Sequence, residues 1–442
     1  MKHFFGNELF LDSAKAKKIY DSVKDLPIID YHCHLDERMI ESDAKFENIG
    51  KLWLAGDHYK WRAMRLCGVD EAYITGEKSD EEKFFAYARI MPLLSGNALY
   101  YWTHMELKQI FGINEPLNEE SAARIYKQAN EKLKDISVRT FLKQFKVEYV
   151  ATTNDPIDLL QSHGRYGETV VAPTFRPDKL YAPDGEYLCK LGKAAGVEIQ
   201  TLADMLCALE NRLDYFVLKG CRISDHGFER FPEAYADYEQ AKTLFEKRES
   251  WTAEEKDAFF GFLLVWLARE YKKRGMIMQI HFAVIRNNNA AMFSRCGADS
   301  GFDLIGEEQS IKPLVKFFNR LTDDERPETV IYTLNDSNLA ALAAATGAFR
   351  HVKAGAAWWF NDTVQGIRKN LSVIAEYAAL GTNYGMLTDS RSFSSYARFD
   401  FFRRILSDYL GDLVEKGEYD FAAAMQTAKN ICYYNIKGAL AL

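Results

Sequence analysis

The sequence lacks the features that would remove the chain from the ordinary class of globular proteins. No CxxC pair occurs among its seven cysteines, and their odd number argues against a disulfide framework. The longest apolar run, residues 259–268, is about half of what a membrane span requires. Near its start the chain carries Glu8 and Asp12, where a secretory signal would need an unbroken apolar stretch. We therefore expect a cytoplasmic protein with reduced thiols.

Neither charge nor repetition points to a special partner or architecture. The 56 basic and 63 acidic residues give a formal net charge of −7. This mild acidity favours solubility and argues against nucleic acid or an anionic membrane as the main partner. No internal repeat, low-complexity tract or long Gly/Ser linker is visible, so we expect no independent second domain.

Short apolar stretches alternate with helical patterns along much of the chain. Continuous apolar character is typical of strands in a parallel sheet that is covered on both faces. Strands that alternate with helices indicate right-handed βαβ units, and eight such units predict an α/β fold closed into a (β/α)8 barrel. The predicted strands are residues 27–31, 147–152, 169–173, 215–218, 276–280, 329–333, 351–353 and 384–387.

The spacing of the first two predicted strands is unusual. About 115 residues separate them, far more than one crossover helix needs. This stretch is rich in aromatic and charged residues. We predict that residues 36–145 form a helical subdomain inserted into a single barrel domain that spans residues 1–442.

The first predicted strand is followed by two histidines. Residues two apart in a strand point to the same side, so His32 and His34 should project together while Cys33 faces the other way. The carboxyl ends of barrel strands form the active site in enzymes of this fold. Two imidazoles at that place suit a divalent cation such as zinc. The alternative interpretation is that the histidines form hydrogen bonds in the core.

The eighth predicted strand ends in Leu-Thr-Asp-Ser-Arg, and it neighbours the first strand in a closed barrel. Asp389 should therefore lie close to His32 and His34. A carboxylate there can complete a metal site or act as a base, and the three ligands leave coordination positions for a substrate. Arg391 offers a planar fork that suits a carboxylate or an oxyanion. The alternative is an Asp–Arg ion pair at a strand end.

Other strand ends carry polar or aromatic residues. His281 ends the fifth predicted strand, and Arg176 follows the third. Trp358 and Trp359 follow the seventh, where they could stack on a sugar ring or line a pocket. The alternatives are a core hydrogen bond for the histidine, a surface ion pair for the arginine and core packing for the tryptophans.

The predicted insertion contains the motif Gly-Asp-His-Tyr-Lys-Trp-Arg at residues 56–62. His58 and Tyr59 are proton-transfer groups that a capping subdomain could bring into the site. The basic residues of the motif would favour an anionic substrate. The alternative is the start of a helix with a charged face.

Several long blocks of the sequence carry a resemblance to a known family. They occur in order along the whole chain, and they include PIIDYHCHLDERMI, NIGKLWLAGDHYKWRAMRLCGV, PTFRPDK, SDHGFE, WWFND and LTDSRSFSSYARFDFFRRIL. The chain resembles the uronate isomerase (glucuronate isomerase) family, an outlying member of the amidohydrolase superfamily. The resemblance implies a distorted (β/α)8 barrel. It also implies interconversion of D-glucuronate with D-fructuronate and of D-galacturonate with D-tagaturonate.

The resemblance also assigns residues to the site. It implies one divalent metal ion, zinc, held by His32, His34 and Asp389, with no nucleotide or organic cofactor. The open-chain hexuronate would be surrounded by His58, Tyr59, Arg176, His281, Trp358 and Arg391. The choice of Trp358 over Trp359 rests on its spacing to the aspartate. A homo-oligomer is a further expectation.

An aldose–ketose conversion moves a hydrogen from C2 to C1 and a proton between two oxygens. One route removes the C2 proton to give a cis-enediol and needs a proton carrier together with cationic stabilisation. We expect Tyr59 or Asp389 to carry the proton. His58 and Arg391 would stabilise the enediolate, and Arg176 would bind the C6 carboxylate. The alternative route is a direct hydride shift.

Two other functions fit the same barrel. A two-metal hydrolase of this superfamily commonly uses a carboxylated lysine at the end of the fourth strand, and Lys219 follows the predicted fourth strand. A catalytically silent protein that binds sugar acids is the other alternative. The intact His58, Tyr59, Asp389 and Arg391 argue for retained chemistry.

Overall fold

The computed structural model describes residues 3–442, and a curved, mostly parallel sheet lies at its centre. The strands are β1 Ile28–Asp30, β2 Val147–Asn154, β3 Gly164–Tyr166, β4 Thr169–Phe175, β5 Ile223–Gly227, β6 Ile277–Phe282, β7 Val284–Ile285, β8 Leu304–Ile305, β9 Thr329–Thr333 and β10 Val352–Ala354. Hydrogen-bonded neighbours in the sheet follow the order β1-β2-β4-β5-β6-β9-β10, while β3 pairs antiparallel with β4 and β7 pairs with β8 in a separate ribbon.

Helices follow most of the strands and cover the outer face of the sheet. The α-helices are α1 Ala14–Val23, α2 Glu37–Glu41, α3 Ile49–Leu54, α4 His58–Leu66, α5 Asp80–Ile90, α6 Ala98–Phe111, α7 Ala122–Leu133, α8 Val138–Gln144, α9 Gly185–Ala195, α10 Leu202–Leu218, α11 Tyr238–Glu246, α12 Ala253–Lys273, α13 Ala290–Cys296, α14 Lys312–Phe318, α15 Leu339–Thr346, α16 Val364–Tyr377, α17 Ala397–Glu415, α18 Phe421–Lys429 and α19 Asn435–Ala439. Within residues 3–442, no helix combines the length and the apolar character needed to cross a membrane.

The gap between β10 and β1 is filled by residues 383–390, which we call the closing segment. Asn383 donates from its side-chain amide to the carbonyl of Ala354 in β10 at 3.0 Å. On the other side, the backbone N–H of Thr388 donates to the carboxylate of Asp30 in β1 at 2.9 Å. Gly385 takes a positive φ of 70°, which interrupts a regular ladder. The predicted eighth strand therefore lies in the expected place as an irregular segment.

The predicted fourth strand, residues 215–218, is wrong. These residues are the last turn of α10, whose buried Leu209, Leu213 and Phe216 repeat at helical spacing. The true strand is β5, a few residues later. Its sequence, Ile-Ser-Asp-His-Gly, is mostly polar because this strand presents Asp225 and its neighbours to the barrel interior, so an apolar pattern could not reveal it.

The fold class predicted from the sequence is confirmed by the parallel curved sheet with helices around it. Inside the barrel, buried Tyr31, Tyr149 and Tyr332 pack with small and branched residues of the other strands. The hydroxyl of Tyr332 donates to the side-chain oxygen of Gln279 at 2.9 Å. This packed layer forms a floor under the carboxyl ends of the strands.

Between β1 and β2 the chain forms the helices α2 to α8. One of their buried side chains, His104 in α6, is held as a neutral imidazole. Its Nδ1–H donates to the carbonyl of Tyr100 at 2.7 Å, and its Nε2 accepts the N–H of Leu117 at 3.0 Å. Burial lowers the pKa of His104 to about 4, although the bond to Tyr100 opposes this. Protonation would remove the acceptor that Leu117 needs.

We expect His104 to make the protein more sensitive to acid. Because its pKa is lower in the folded than in the unfolded chain, its contribution is complete above pH 6.5 and is lost as the pH falls towards 4. A shift of this size corresponds to about 3 kcal/mol. His104→Gln should be less stable at pH 7 and should show a shallower loss of unfolding free energy between pH 6.5 and 4. Urea titrations at several pH values measure this.

A surface variant, His3→Gln, is the control for this comparison, since His3 is exposed. It should follow the wild-type pH dependence. Parallel curves for His104→Gln and the wild type would contradict the assignment of the acid sensitivity to His104.

Candidate active site at the carboxyl ends of the strands

Two histidines and an aspartate meet where β1 ends. The Nε2 atom of His32 lies 3.1 Å from Oδ1 of Asp389, and the Nε2 atom of His34 lies 3.2 Å from the same oxygen. The possible ligand atoms of the three residues all lie within 4.8 Å of one another. The geometry thus brings together the three residues that the sequence pattern placed at a metal site.

The backbone explains why these side chains converge. His34 donates its N–H to the carbonyl of Ser390, and Asp389 donates its N–H to the carbonyl of His32. Asp389 itself has a positive φ of 48°, an uncommon conformation for a residue with a side chain. The intervening Cys33 points the other way, and its thiol donates to the carbonyl of Ala151 at 3.3 Å. The closing segment and the end of β1 thus position each other.

The carboxylate of Asp389 receives donors on both oxygens. Besides the two histidines at Oδ1, the Tyr59 hydroxyl donates to Oδ2 at 3.2 Å and the Trp358 Nε1–H donates to it at 2.8 Å. Burial alone would raise the pKa of Asp389, but the hydrogen bonds from His32 and His34 hold it well below its ordinary value. Asp389 is therefore an ionised carboxylate whose position is fixed from several sides.

Helix α4 brings His58 and Tyr59 to this carboxylate. Its N-cap is Asp57, whose Oδ1 accepts the N–H groups of Tyr59 and Lys60 at 3.0 and 3.2 Å. The ammonium group of Lys60 donates to the other oxygen of Asp57 at 2.6 Å in a buried ion pair. The motif at residues 56–62 is thus a helix start, and it is also a wall of the site.

Arg391 and His58 form one side of the site. Arg391 donates from Nη1 to Nε2 of His58 at 3.0 Å, a contact that requires a neutral imidazole. Burial and the nearby guanidinium of Arg391 both lower the pKa of His58, which is consistent with this protonation state. The ring of Trp359 stacks on His58 with 5.7 Å between centroids, whereas Trp358 faces Asp389.

A buried aspartate that the sequence reasoning missed links the other residues. Asp225 in β5 lies 2.9 Å from Nδ1 of His281, 3.2 Å from Nη1 of Arg176 and 3.8 Å from Nδ1 of His32. Burial alone would raise the pKa of Asp225, but His281, His32 and Arg176 hold it well below its ordinary value. Arg176 also donates to Asp178 at 2.9 Å. Asp225 was missed because β5 was assigned to the wrong residues.

The position of Lys219 removes the sequence feature that favoured a two-metal hydrolase. Lys219 caps the carboxyl end of α10, where its N–H donates to the carbonyl of Tyr215 at 3.0 Å. It does not end a strand. The strand that follows, β5, ends in Asp225, His226 and Gly227.

The group formed by His32, His34 and Asp389 could hold a metal ion. Two imidazole nitrogens and a carboxylate oxygen are ligands that zinc accepts, and three protein ligands are typical of catalytic rather than structural zinc sites. The side chains are at most 21% exposed, so the site is also shielded from bulk water. The chemistry of the donor set fits one divalent ion.

Comparison with known proteins finds similarity along nearly the whole chain. A family model described as glucuronate isomerase matches residues 1–439. The uronate isomerase of Bacillus pumilus is 42% identical over 460 residues, which cover 99% of this chain and 96% of that protein.

Solved structures show the same likeness. The crystal structure of uronate isomerase from Thermotoga maritima has a TM-score of 0.96 at 33% sequence identity and covers 99% of this chain and 100% of that one. Glucuronate isomerase from Caulobacter crescentus has a TM-score of 0.93 at 26% identity, over 99% and 97% of the two chains. Because the family match spans nearly the whole sequence, the chain belongs to the glucuronate isomerase family.

Proposed function

We propose that this protein is an aldose–ketose isomerase of hexuronate catabolism, which interconverts D-glucuronate with D-fructuronate and D-galacturonate with D-tagaturonate. The observation that carries the proposal is the family match over residues 1–439, within which the residues expected around the sugar acid lie together at the carboxyl ends of the strands. An ionised carboxylate, a neutral imidazole and two guanidinium groups suit an anionic substrate that passes through a negatively charged intermediate.

The metal ligands are His32, His34 and Asp389, and the ion is zinc. When bound, one divalent ion would polarise the oxygens of the substrate as a Lewis acid. His32 and His34 differ in their surroundings: burial lowers the pKa of His34 to about 4, while Asp225 and Asp389 outweigh burial and raise the pKa of His32. A ligand nitrogen needs a free lone pair, so each Nε2 would give up the hydrogen that faces Asp389 when the ion binds.

The proton carrier is Asp389, assisted by Tyr59. Burial and the nearby carboxylate of Asp389 raise the pKa of Tyr59 well above its ordinary value, so the phenol keeps its proton while Asp389 remains ionised. The carboxylate can then take the C2 proton of the aldose and return it to C1, while O1 gains a proton and the C2 hydroxyl loses one. Tyr59 and Trp358 donate to Oδ2 and keep the carboxylate in place during this transfer.

Arg391, His58 and Arg176 stabilise and orient the substrate. Arg391 and His58, joined by a hydrogen bond at 3.0 Å, face the developing enediolate. Arg176 binds the C6 carboxylate with its planar fork and is itself oriented by Asp178 and Asp225. His281 and Trp358, whose ring centroids lie 4.5 Å apart, line the remaining wall of the site.

An assay of the purified protein on D-glucuronate and D-galacturonate tests the function, before and after treatment with a chelator. We expect the corresponding ketoses, with activity reduced by chelation and restored by zinc. In deuterated water, proton transfer through a cis-enediol places solvent deuterium at C1 of the ketose. A product free of solvent deuterium after many turnovers would favour the hydride shift.

The other functions predict different results. Hydrolysis of esters or amides, with about two metal ions per chain, would support a hydrolase of the amidohydrolase superfamily. Uronate binding without isomerisation at high protein concentration would support a silent binding protein. Neither result is expected, since Lys219 caps a helix instead of ending a strand and the residues around Asp389 are complete.

The remaining assignments concern the chain as a whole. We propose a single metal-dependent-hydrolase-like barrel domain over residues 1–442, in which residues 36–145 are an inserted helical subdomain. The small-molecule hexuronate is its partner, and no nucleic acid or membrane takes part. A cytoplasmic location agrees with seven unpaired cysteines. We also propose that the chain forms a homo-oligomer, which sedimentation would test.

A further inference from the structure

A segment after β6 crosses over the proposed site. Strands β7 and β8 form a short antiparallel ribbon, with Val284 opposite Ile305 and Ile285 opposite Leu304. The chain between them, residues 286–303, is here called the lid segment. It contains α13, a helix in which no residue is buried. A surface cavity of about 670 Å³, lined in part by Arg295 and Cys296, lies beside the end of this helix.

The lid segment places a carboxylate on Arg391. Asp299 accepts a hydrogen bond at Oδ2 from Nη2 of Arg391 at 3.0 Å. The Asp299 side chain is 51% exposed and the Arg391 side chain is 26% exposed. The other terminal nitrogen of the guanidinium donates to His58. Without substrate, the side of the Arg391 guanidinium that does not contact His58 is therefore paired with the Asp299 carboxylate of the lid segment.

The second arginine of the site is held differently. Arg176 contacts Asp225, which is 1% exposed, and Asp178, which lies two residues further along the same turn. An incoming anion cannot easily replace a buried carboxylate that also contacts His281. An oxygen of the substrate can replace Asp299 more easily, because half of that side chain is exposed.

The lid segment is attached to the helix that carries the site. Arg62 of α4 donates to the carbonyls of Gly301 and Asp303 at 3.3 and 3.1 Å, and Arg65 donates to the carbonyl of Ser300. A Cβ at Gly301 would lie 2.8 Å from the carbonyl oxygen of His58, and the glycine has a positive φ of 89°. A movement of the lid segment is therefore transmitted to the start of α4.

We propose that Asp299 competes with the substrate for Arg391: its carboxylate holds Arg391 and the lid segment in the free protein, and the C1 and C2 oxygens of the hexuronate displace it. This proposal rests on the proposed function, because it deepens the role of Arg391 in that site.

The variant Asp299→Asn tests the competition. We expect KM for D-glucuronate to fall about threefold to fivefold, the size expected for loss of an exposed ion pair, while kcat stays within about twofold. Asp303→Asn is the matched control, since it removes the same charge from the lid segment but pairs with Arg286 rather than Arg391. An equal fall in KM in both variants would mean that the effect comes from the net charge of the lid segment and not from the contact with Arg391, and it would overturn the proposal.

Hydrogen exchange without any substrate provides the second readout. Asp299→Asn should speed backbone exchange in residues 290–303 relative to the wild type. Unchanged exchange, or a higher KM with a lower kcat, would show that Asp299 is a fixed partner that merely positions Arg391. Because this readout needs no turnover, it decides the role of Asp299 even if neither uronate is isomerised, in which case only the proposed function fails.

Discussion

Replacing Asp389 with asparagine should lower kcat/KM for D-glucuronate by about a thousandfold. The carboxylate is the proposed base and also the acceptor for His32, His34, Tyr59 and Trp358. The asparagine amide cannot take up a proton at neutral pH. Its NH₂ group would replace one carboxylate oxygen and would then meet a hydrogen-bond donor where an acceptor is needed. The loss should therefore appear mainly in kcat, with reduced zinc retention measured by metal analysis.

The matched control is Asp257→Asn, another well-buried aspartate that accepts hydrogen bonds from the N–H groups of Glu233 and Ala234. This variant carries the same chemical change at a carboxylate outside the proposed site, and its kcat/KM should stay near the wild-type value. Full activity in Asp389→Asn would mean that the proposed site is wrong, whereas equal losses in both variants would indicate general destabilisation.

The second large effect is expected from a single added methyl group. Gly227 ends β5, and a Cβ at this position would lie 2.5 Å from Nε2 of His281 and 2.8 Å from Nη2 of Arg176. Both side chains are held by Asp225, so one of them must leave its place. A displacement of about 1 Å in a site of this kind costs about a hundredfold in rate. We expect Gly227→Ala to lose activity on that scale while keeping its fold.

Gly164→Ala serves as the control, because Gly164 begins β3 and a Cβ there meets nothing within 4 Å. Steady-state kinetics and circular dichroism of both variants separate the two causes of a loss. If Gly227→Ala kept wild-type kinetics, His281 and Arg176 would not be required in their observed positions. If Gly227→Ala lost its secondary structure as well, the loss of activity would not be specific to the site, and Gly227→Ser would add the same Cβ. In that case His281→Asn is the better test, because it changes a side chain of the site and leaves Gly227 in place.

Local chemistry made much of the fold and the site predictable. Strands such as β4 and β9 are mostly apolar because both of their faces are buried, and this pattern survives in the sequence. His32 and His34 could be placed because they directly follow such a run. Asp389 could be placed beside them because the first and last segments of a closed barrel are neighbours.

The parts that escaped prediction depend on tertiary contacts. Asp225 lies in a strand whose polar residues face the site, so no apolar pattern marks it. The closing segment contains the short apolar stretch 384–387, but its backbone is shaped by the side chains of Asn383 and Asp30. The contact between Asp299 and Arg391 joins residues 92 positions apart, and nothing in the local sequence indicates it.

The distance along the chain between the proposed metal ligands has a consequence for biosynthesis. His32 and Asp389 are 357 residues apart in sequence, and each holds the other in place through the backbone. A ribosome releases His32 and His34 early, long before the aspartate is made. Until the last part of the chain leaves the exit tunnel, the nascent protein has two imidazoles without their carboxylate. An ion held by all three proposed ligands can therefore be acquired only at the end of translation or after it.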